Sequence, residues 1–349
     1  MSRLAFITGI GGQDGSYLSE FLLNKNYIIY GSVRRTSLLY SYTRIEHIKD
    51  KLHLNYGDVT DACALHNLLS QILTNHPNFE VLEIYNLAAQ SHVQISFEIP
   101  EYTTKTDAFG PLYILEFIKN QQDDIKNKIR FYQAGTSEMY GNALEIPQNE
   151  NTPFNPISPY GCAKVYAHYI TKTYREAYNI FACNGILFNH ESPRRGQNFV
   201  TMKIINGINK YILDKTPLLL GNLDSKRDWG HSIDYVKGMW LMLQSEFPDD
   251  YILSTFNTYT IREFIEKSLK YKNINIKWIG KNLEEVGINI QNNEVIIKID
   301  KKFIRPTEID VLLGDNSKAK HILGWNNSYN IDALIENMFN KNIVINEMN

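Results

Sequence analysis

Thr8-Gly9-Ile10-Gly11-Gly12-Gln13-Asp14-Gly15 closes a short apolar run at residues 4–8 and opens an amphipathic pattern at 16–24. Glycines at 9, 12 and 15 give the spacing GxxGxxG. A turn free of side chains at such points lets backbone N–H groups at a helix N-terminus approach a pyrophosphate. Gly9, Ile10, Gly12, Gln13 and Asp14 are therefore candidate dinucleotide contacts. The bland alternative is a glycine-rich turn without a ligand; the strand–turn–helix setting favours the phosphate.

The same alternation continues outward. Apolar runs at 28–33, 52–56, 81–87 and 129–134 read as buried parallel strands, and 62–73 and 102–120 as helices between them. A long helix over 159–178 and a strand over 182–188 follow. Together they predict an α/β fold, a Rossmann-type doubly wound parallel sheet with helices on both faces. After Asn189 the pattern changes: helices at 199–213, 233–244 and 261–271, one arm of a hairpin at 294–299, and two helices after Asn316 and Asn330. The expectation is a dinucleotide-binding domain over 1–189 with return segments near 232–258. A smaller, mainly C-terminal α/β substrate domain takes up most of 190–349.

Composition narrows the classes. The 349 residues are 43% hydrophobic and 21% charged, an ordinary globular balance that argues against disorder. The formal net charge of −2 offers no global field for nucleic acid or an anionic membrane. Cys63, Cys162 and Cys183 form no CxxC pair, so they read as free thiols in a reducing compartment, with no metal expected. The apolar start breaks at glycines, unlike a signal peptide, and no apolar stretch approaches a bilayer's span. A soluble, cytoplasmic protein is expected.

The second strand ends Ser32-Val33-Arg34-Arg35, where a carboxylate for ribose hydroxyls is usual in NAD enzymes. Guanidinium groups there suit an adenosine 2′-phosphate, so NADP is expected; the alternative is two solvated surface arginines. Asp58-Val59 and Leu87-Ala88-Ala89 follow the third and fourth strands, where the adenine and nicotinamide ribose should lie.

Tyr160 and Lys164 stand four apart at the start of the 159–178 helix, on one face. The ammonium, with a nicotinamide cation, can lower the phenol's pKa and make it a base for a sugar hydroxyl. By itself YxxxK is common, but here it follows a strand ending Ala134-Gly135-Thr136-Ser137-Glu138. Thr136 could hydrogen-bond the oxygen that Tyr160 deprotonates.

Phosphate loop, Thr, Tyr and Lys in this order resemble the extended short-chain dehydrogenase/reductase family. The stretches RFYQAGTSEMYG, SPYGCAK, CNGILFNHESPRRG, RDWGH and RPTEIDVLLGD resemble, over nearly the whole chain, its GDP-mannose 4,6-dehydratase family. The resemblance implies a hydro-lyase forming GDP-4-dehydro-6-deoxy-D-mannose from GDP-mannose, a step towards fucose, rhamnose or perosamine. Thr136, Glu138, Tyr160 and Lys164 would be catalytic, Glu138 removing the C5 proton. Ser91, Tyr102, Lys164, His190 and Arg195 would help hold the cofactor. Asn189, Lys203, Arg227, Arg305 and Glu308 would hold the GDP part, with surface charge as the bland alternative.

A homotetramer (a dimer of dimers) is also implied, with Arg34–Arg44 crossing a subunit boundary. There Leu38, Leu39, Tyr40 and Tyr42 add apolar surface, although this stretch departs from the family pattern; a dimer built on helices 102–120 and 159–178 is the alternative. Gly135 also departs, replacing a serine. The rival functions are another nucleotide-sugar dehydratase or epimerase, or a non-catalytic NADP-binding protein on the same fold. Glu138 argues against an epimerase, NHESPRRG against another base, and the complete catalytic set against a non-catalytic protein.

Overall fold

The computed structural model describes residues 2–36, 43–304 and 307–340. Seven parallel strands form the main sheet. Six are β1 (Arg3–Thr8), β2 (Ile28–Val33), β3 (His53–Tyr56), β4 (Val81–Asn86), β5 (Ile129–Ala134) and β6 (Phe181–Leu187). The seventh, Asp250–Leu253, pairs with β6, and the order across the sheet is Asp250–Leu253, β6, β5, β4, β1, β2, β3. Both faces are covered, so alternate residues of one strand enter different cores: Leu4 and Phe6 one, Ala5 and Ile7 the other. On one side lie α1 (Gln13–Asn24) and the Ser232–Gln244 helix; on the other lie α2 (Ala62–Asn75) and the Gly110–Lys119 helix.

The helix expected over 102–120 is broken. Pro100–Thr104 is helical, Lys105–Phe109 is a π turn, and Gly110–Lys119 resumes the α-helix. Pro111 has no N–H to return to Asp107 four residues earlier, so the ladder widens there. The widened turn leaves Asp107 almost fully buried, with one carboxylate oxygen accepting from the Gln90 N–H at 2.8 Å.

The smaller lobe has a four-stranded mixed sheet in the order Ile276–Ile279, Val286–Asn289, Val295–Ile299, Leu218–Leu220. Val295–Ile299 is a hairpin arm, as expected, and it also pairs parallel with Leu218–Leu220. Val200–Asp214, Ile261–Tyr271 and Ile331–Asn340 pack beside it through Ile204, Phe264 and Leu334. The chain returns to the large lobe at Ser317–Leu323 and Trp325. The Trp325 indole is fully buried edge-on to Tyr235, its N–H donating to the Asp234 carbonyl at 2.7 Å. Among the described residues no helix is long and apolar enough to cross a membrane, and no acidic, His or Cys cluster could hold a metal.

Trp325→Ala removes that volume and the indole's bond to the Asp234 carbonyl, so it should cost about 3–5 kcal/mol. Urea unfolding should show a clearly lower midpoint. A midpoint equal to the parent's would mean that the C-terminal return does not hold the large lobe together.

Candidate active site

β1 ends at Thr8, whose hydroxyl donates to Asn86 Oδ1 at 2.7 Å and accepts from the N–H groups of Leu87 and Ala88 at 3.0 Å each. This ties the first turn to the end of β4. Gly9 has φ +69°, and a Cβ there would lie 2.9 Å from Ala88 N; one at Gly15 would lie 2.5 Å from the Gly9 carbonyl oxygen. Both glycines are demanded by close backbone approach. α1 starts at Gln13 with no side-chain cap, leaving its first N–H groups facing the turn. Ile10 turns its side chain into the core, fully buried, and is not among the residues that line the cavity.

The remaining described candidates line one cavity of about 1390 Å³. Gly9, Gly12, Gln13, Asp14, Arg34, Arg35, Asp58, Val59, Leu87, Ala88, Ala89, Ser91, Tyr102, His190 and Arg195 line it. So do Thr136, Glu138, Tyr160 and Lys164, and Asn189, Lys203, Arg227 and Glu308. Arg305 falls outside the described residues, as do Leu38, Leu39, Tyr40 and Tyr42. The volume exceeds that of an ordinary ligand pocket of up to ~1,000 Å³, leaving room for a dinucleotide and a nucleotide sugar together.

Around the glycine turn the charges are paired. His190 bonds the Phe188 carbonyl through Nδ1 and Asp14 through Nε2, each at 2.8 Å, and stacks on Tyr235. Burial opposes charge on His190, yet the Asp14 carboxylate prevails and holds the imidazole above its ordinary value. The Asp14 carboxyl is held low against burial by His190 and Arg195. Arg195 pairs with buried Glu191 at 3.0 Å and lies over the Phe199 ring at 3.7 Å. Arg34 donates to the Tyr102 hydroxyl at 2.5 Å, and Arg35 lies 6.0 Å from the Tyr56 ring. The cradle that a Cβ would fill, the open helix start and these cations fit a nicotinamide dinucleotide.

The catalytic candidates hang on β5 and the Pro159–Tyr178 helix. Thr136 caps the short turn Ser137–Met139, its hydroxyl accepting from Glu138 N–H at 3.2 Å. Ser158 caps the long helix by accepting from Gly161 N–H at 3.0 Å, with Pro159 preorganised at its first position. That places Tyr160 and Lys164 on the cavity wall, both buried. Lys164 Nζ donates to the Ala134 carbonyl at 2.9 Å and lies 5.9 Å from the Tyr160 ring.

The expected lowering of the Tyr160 pKa is absent in the protein alone. Burial, with the Asp107 charge, holds the phenol above its ordinary value, against the Thr136 hydroxyl. Lys164 is itself pushed down by burial, opposed by Asp107, whose own carboxyl burial raises to about 6. On the far wall burial and the Lys302 charge push Lys203 down to about 8. At Gly135 the chain passes close to β6: a Cβ there would lie 2.8 Å from the Gly185 carbonyl oxygen.

Sequence reading reaches Arg44 only as the end of the Arg34–Arg44 stretch, and it passes over Glu191 and Asn222. Arg44 lines the cavity beside the glycine turn, donating to the Gly11 and Arg194 carbonyls at 3.3 and 2.7 Å. Glu191, inside NHESPRRG, lines it too, as does Asn222. Only Glu191 sits in a motif that could have flagged it.

A family model described as GDP-mannose 4,6 dehydratase matches residues 6–338. The GDP-mannose 4,6 dehydratase of Drosophila melanogaster is 49% identical over 98% of this chain and 86% of its own. That of Homo sapiens is 48% identical over 98% and 91%. A crystal structure of UDP-glucuronic acid 4-epimerase from Bacillus cereus, in complex with UDP-glucuronic acid and NAD, superposes with TM-score 0.77. At 18% identity, over 97% of this chain and 98% of that one, the likeness shows the shared fold.

Gly9→Ala should force either strain or a shift against Ala88, costing roughly tenfold in dinucleotide affinity. Absorbance of the dinucleotide released from purified protein reads this directly. Full occupancy in the variant would show that the turn does not hold the pyrophosphate.

Proposed function

The chain belongs to the GDP-mannose 4,6-dehydratase family, and on that premise we propose that it converts GDP-D-mannose into GDP-4-dehydro-6-deoxy-D-mannose and water. The observation that carries this reading is the convergence of Thr136, Glu138, Tyr160 and Lys164 on one cavity large enough for two nucleotides. When bound, the nicotinamide supplies a hydride acceptor that later gives the hydride back. Tyr160 takes the O4 proton while Thr136 hydrogen-bonds the same oxygen. Because burial raises the phenol, Tyr160 needs cationic charge close by, and Lys164, fixed on the Ala134 carbonyl, supplies part of it.

With C4 at the ketone level, the C5–H becomes acidic enough for a carboxylate. Glu138, buried on the cavity wall, takes that proton. The 6-hydroxyl departs as water. Of the two protons collected from O4 and C5, one leaves in the water and one returns to C5. No net oxidation remains, so the reaction is a lyase reaction.

The cofactor assignment goes further to NADP. Arg34 and Arg35 follow β2 on the cavity wall, where a 2′-phosphate would sit. In the substrate half, Arg227 and Lys203 suit the diphosphate, and Glu308 can accept from guanine N1–H and its exocyclic amine. The dinucleotide-binding unit is taken as 1–189 with 232–258, and the GDP-sugar unit as most of 190–349. Described cysteines are all unpaired, which suits the cytoplasm. A homotetramer is proposed, because Leu38, Leu39, Tyr40 and Tyr42 add apolar sequence beside the arginines, and Tyr166 and Tyr169 leave apolar surface on the Pro159–Tyr178 helix.

Purified protein incubated with GDP-mannose should give a product lighter by one water in mass spectrometry, and none with UDP-glucose. Glu138→Gln should lose at least ~10²-fold in turnover with its dinucleotide retained. Tyr160→Phe should show no transient of reduced cofactor on adding GDP-mannose. Near-normal turnover, or a normal transient, would remove the respective role. Separately, Arg35→Ala with Leu39→Ala should weaken both tetramer formation and NADP retention. Light scattering that shows an unchanged tetramer still carrying NADP would contradict the double role of the loop.

A further inference from the structure

The chain next to Glu308 is held on both sides. Just before it, the Thr307 hydroxyl donates to the Ile157 carbonyl at 3.1 Å. After it, Arg227 Nη1 donates to the Ile309 carbonyl at 2.8 Å, and Lys226 N–H donates to the Asp310 carbonyl at 2.8 Å. The carboxylate itself makes one hydrogen bond among the described residues: Asn222 Nδ2 donates to Oε2 at 3.2 Å.

The orientation of the Asn222 amide follows from its neighbours. Its Oδ1 accepts from Asp224 N–H at 2.9 Å, a group that can only donate. The NH₂ must then face outward, where it meets the Ser225 hydroxyl at 2.9 Å and Glu308. The turn is braced from behind. Asp224 accepts from Arg262 at 2.9 Å, and Arg262 also pairs with Glu285 at 2.7 Å and lies over Trp278 at 4.6 Å. Gly221, Asn222 and Glu308 all line the cavity.

We propose that Asn222 is a positioning residue that aims the Glu308 carboxylate at the base, and so sets the enzyme's preference for guanine. This rests on the reading of Glu308 as the base-reading group. Guanine presents two parallel donors, N1–H and the 2-amino group, and a carboxylate accepts both only in one rotamer plane. Hypoxanthine keeps N1–H but lacks the amine, so the pair GDP and IDP isolates the second bond. Adenine offers an acceptor at N1 and meets repulsion.

Asn222→Ser tests the idea, because a serine hydroxyl keeps the cap on Asp224 N–H but is too short to reach Glu308. Calorimetric titration of the NADP-loaded enzyme with GDP and with IDP reads the outcome. The parent should bind GDP roughly tenfold tighter than IDP, one charge-assisted hydrogen bond's worth. In Asn222→Ser the ratio should fall to about twofold or less. Asn222→Asp, which sets two carboxylates against each other, should weaken GDP further. Glu308→Ala should abolish the ratio, and adding Asn222→Ser to it should change nothing more. Equal losses for GDP and IDP in Asn222→Ser, with the ratio kept, would make the residue purely structural and overturn the proposal. A ratio that survives Glu308→Ala would instead overturn the base-reading role of Glu308, and the positioning role with it.

Discussion

Thr8 stands where the strand order reverses, between β1 and β4, and the crevice of the site opens there because of it. Connections leave these two strands on opposite faces of the sheet, so nothing covers their carboxyl ends. The Thr8 hydroxyl closes the backbone beneath that gap through Asn86, Leu87 and Ala88. From Asn86 the bonding runs to Gln133 at 2.8 Å, from Gln133 to the Ala134 carbonyl at 3.1 Å, and from that oxygen to Lys164. One line of buried hydrogen bonds thus spans the ends of β1, β4 and β5. It joins the glycine turn to Lys164, so errors in one would be felt by the other.

Above this line the site holds charges that a purely structural core would avoid. Asp14 and His190, Glu191 and Arg195, and Asp107 and Lys164 are all buried or nearly so. Taking such groups out of water costs several kcal/mol each before their attraction is counted, and apolar replacements of the same volume often do as well for stability. Their concentration around one cavity is the pattern expected where charge serves binding and proton transfer. The widened turn that buries Asp107 is part of the same expense, set by Pro111 in the chain itself.

Much of this was legible in order of residues. Strands β1, β2, β4, β5 and β6 carry apolar runs, and the turn at Gly9–Gly15 and the pair Tyr160 and Lys164 are local patterns. Four-residue Asp250–Leu253 and three-residue Leu218–Leu220 are too short to show a period, and they become strands only through pairing with distant partners. The break near Pro111 was hidden because the apolar spacing runs through it unchanged. Spacing reveals the ammonium near Tyr160 but not the depth of burial that raises its phenol in the protein alone. Asn222 has no motif at all, and its role comes from a contact 86 positions away.

The central claim is that one buried carboxylate and one phenol, on a single cavity wall, run a dehydration without net oxidation. Deuterium placed at C4 of the sugar in GDP-mannose tests it most directly, with the reaction run in ordinary water and the product read by NMR. The account predicts that the label reappears at C6 of the same molecule, with C5 carrying ordinary hydrogen. Label washed out to solvent, or retained at C4 of a product that has lost water, would contradict it.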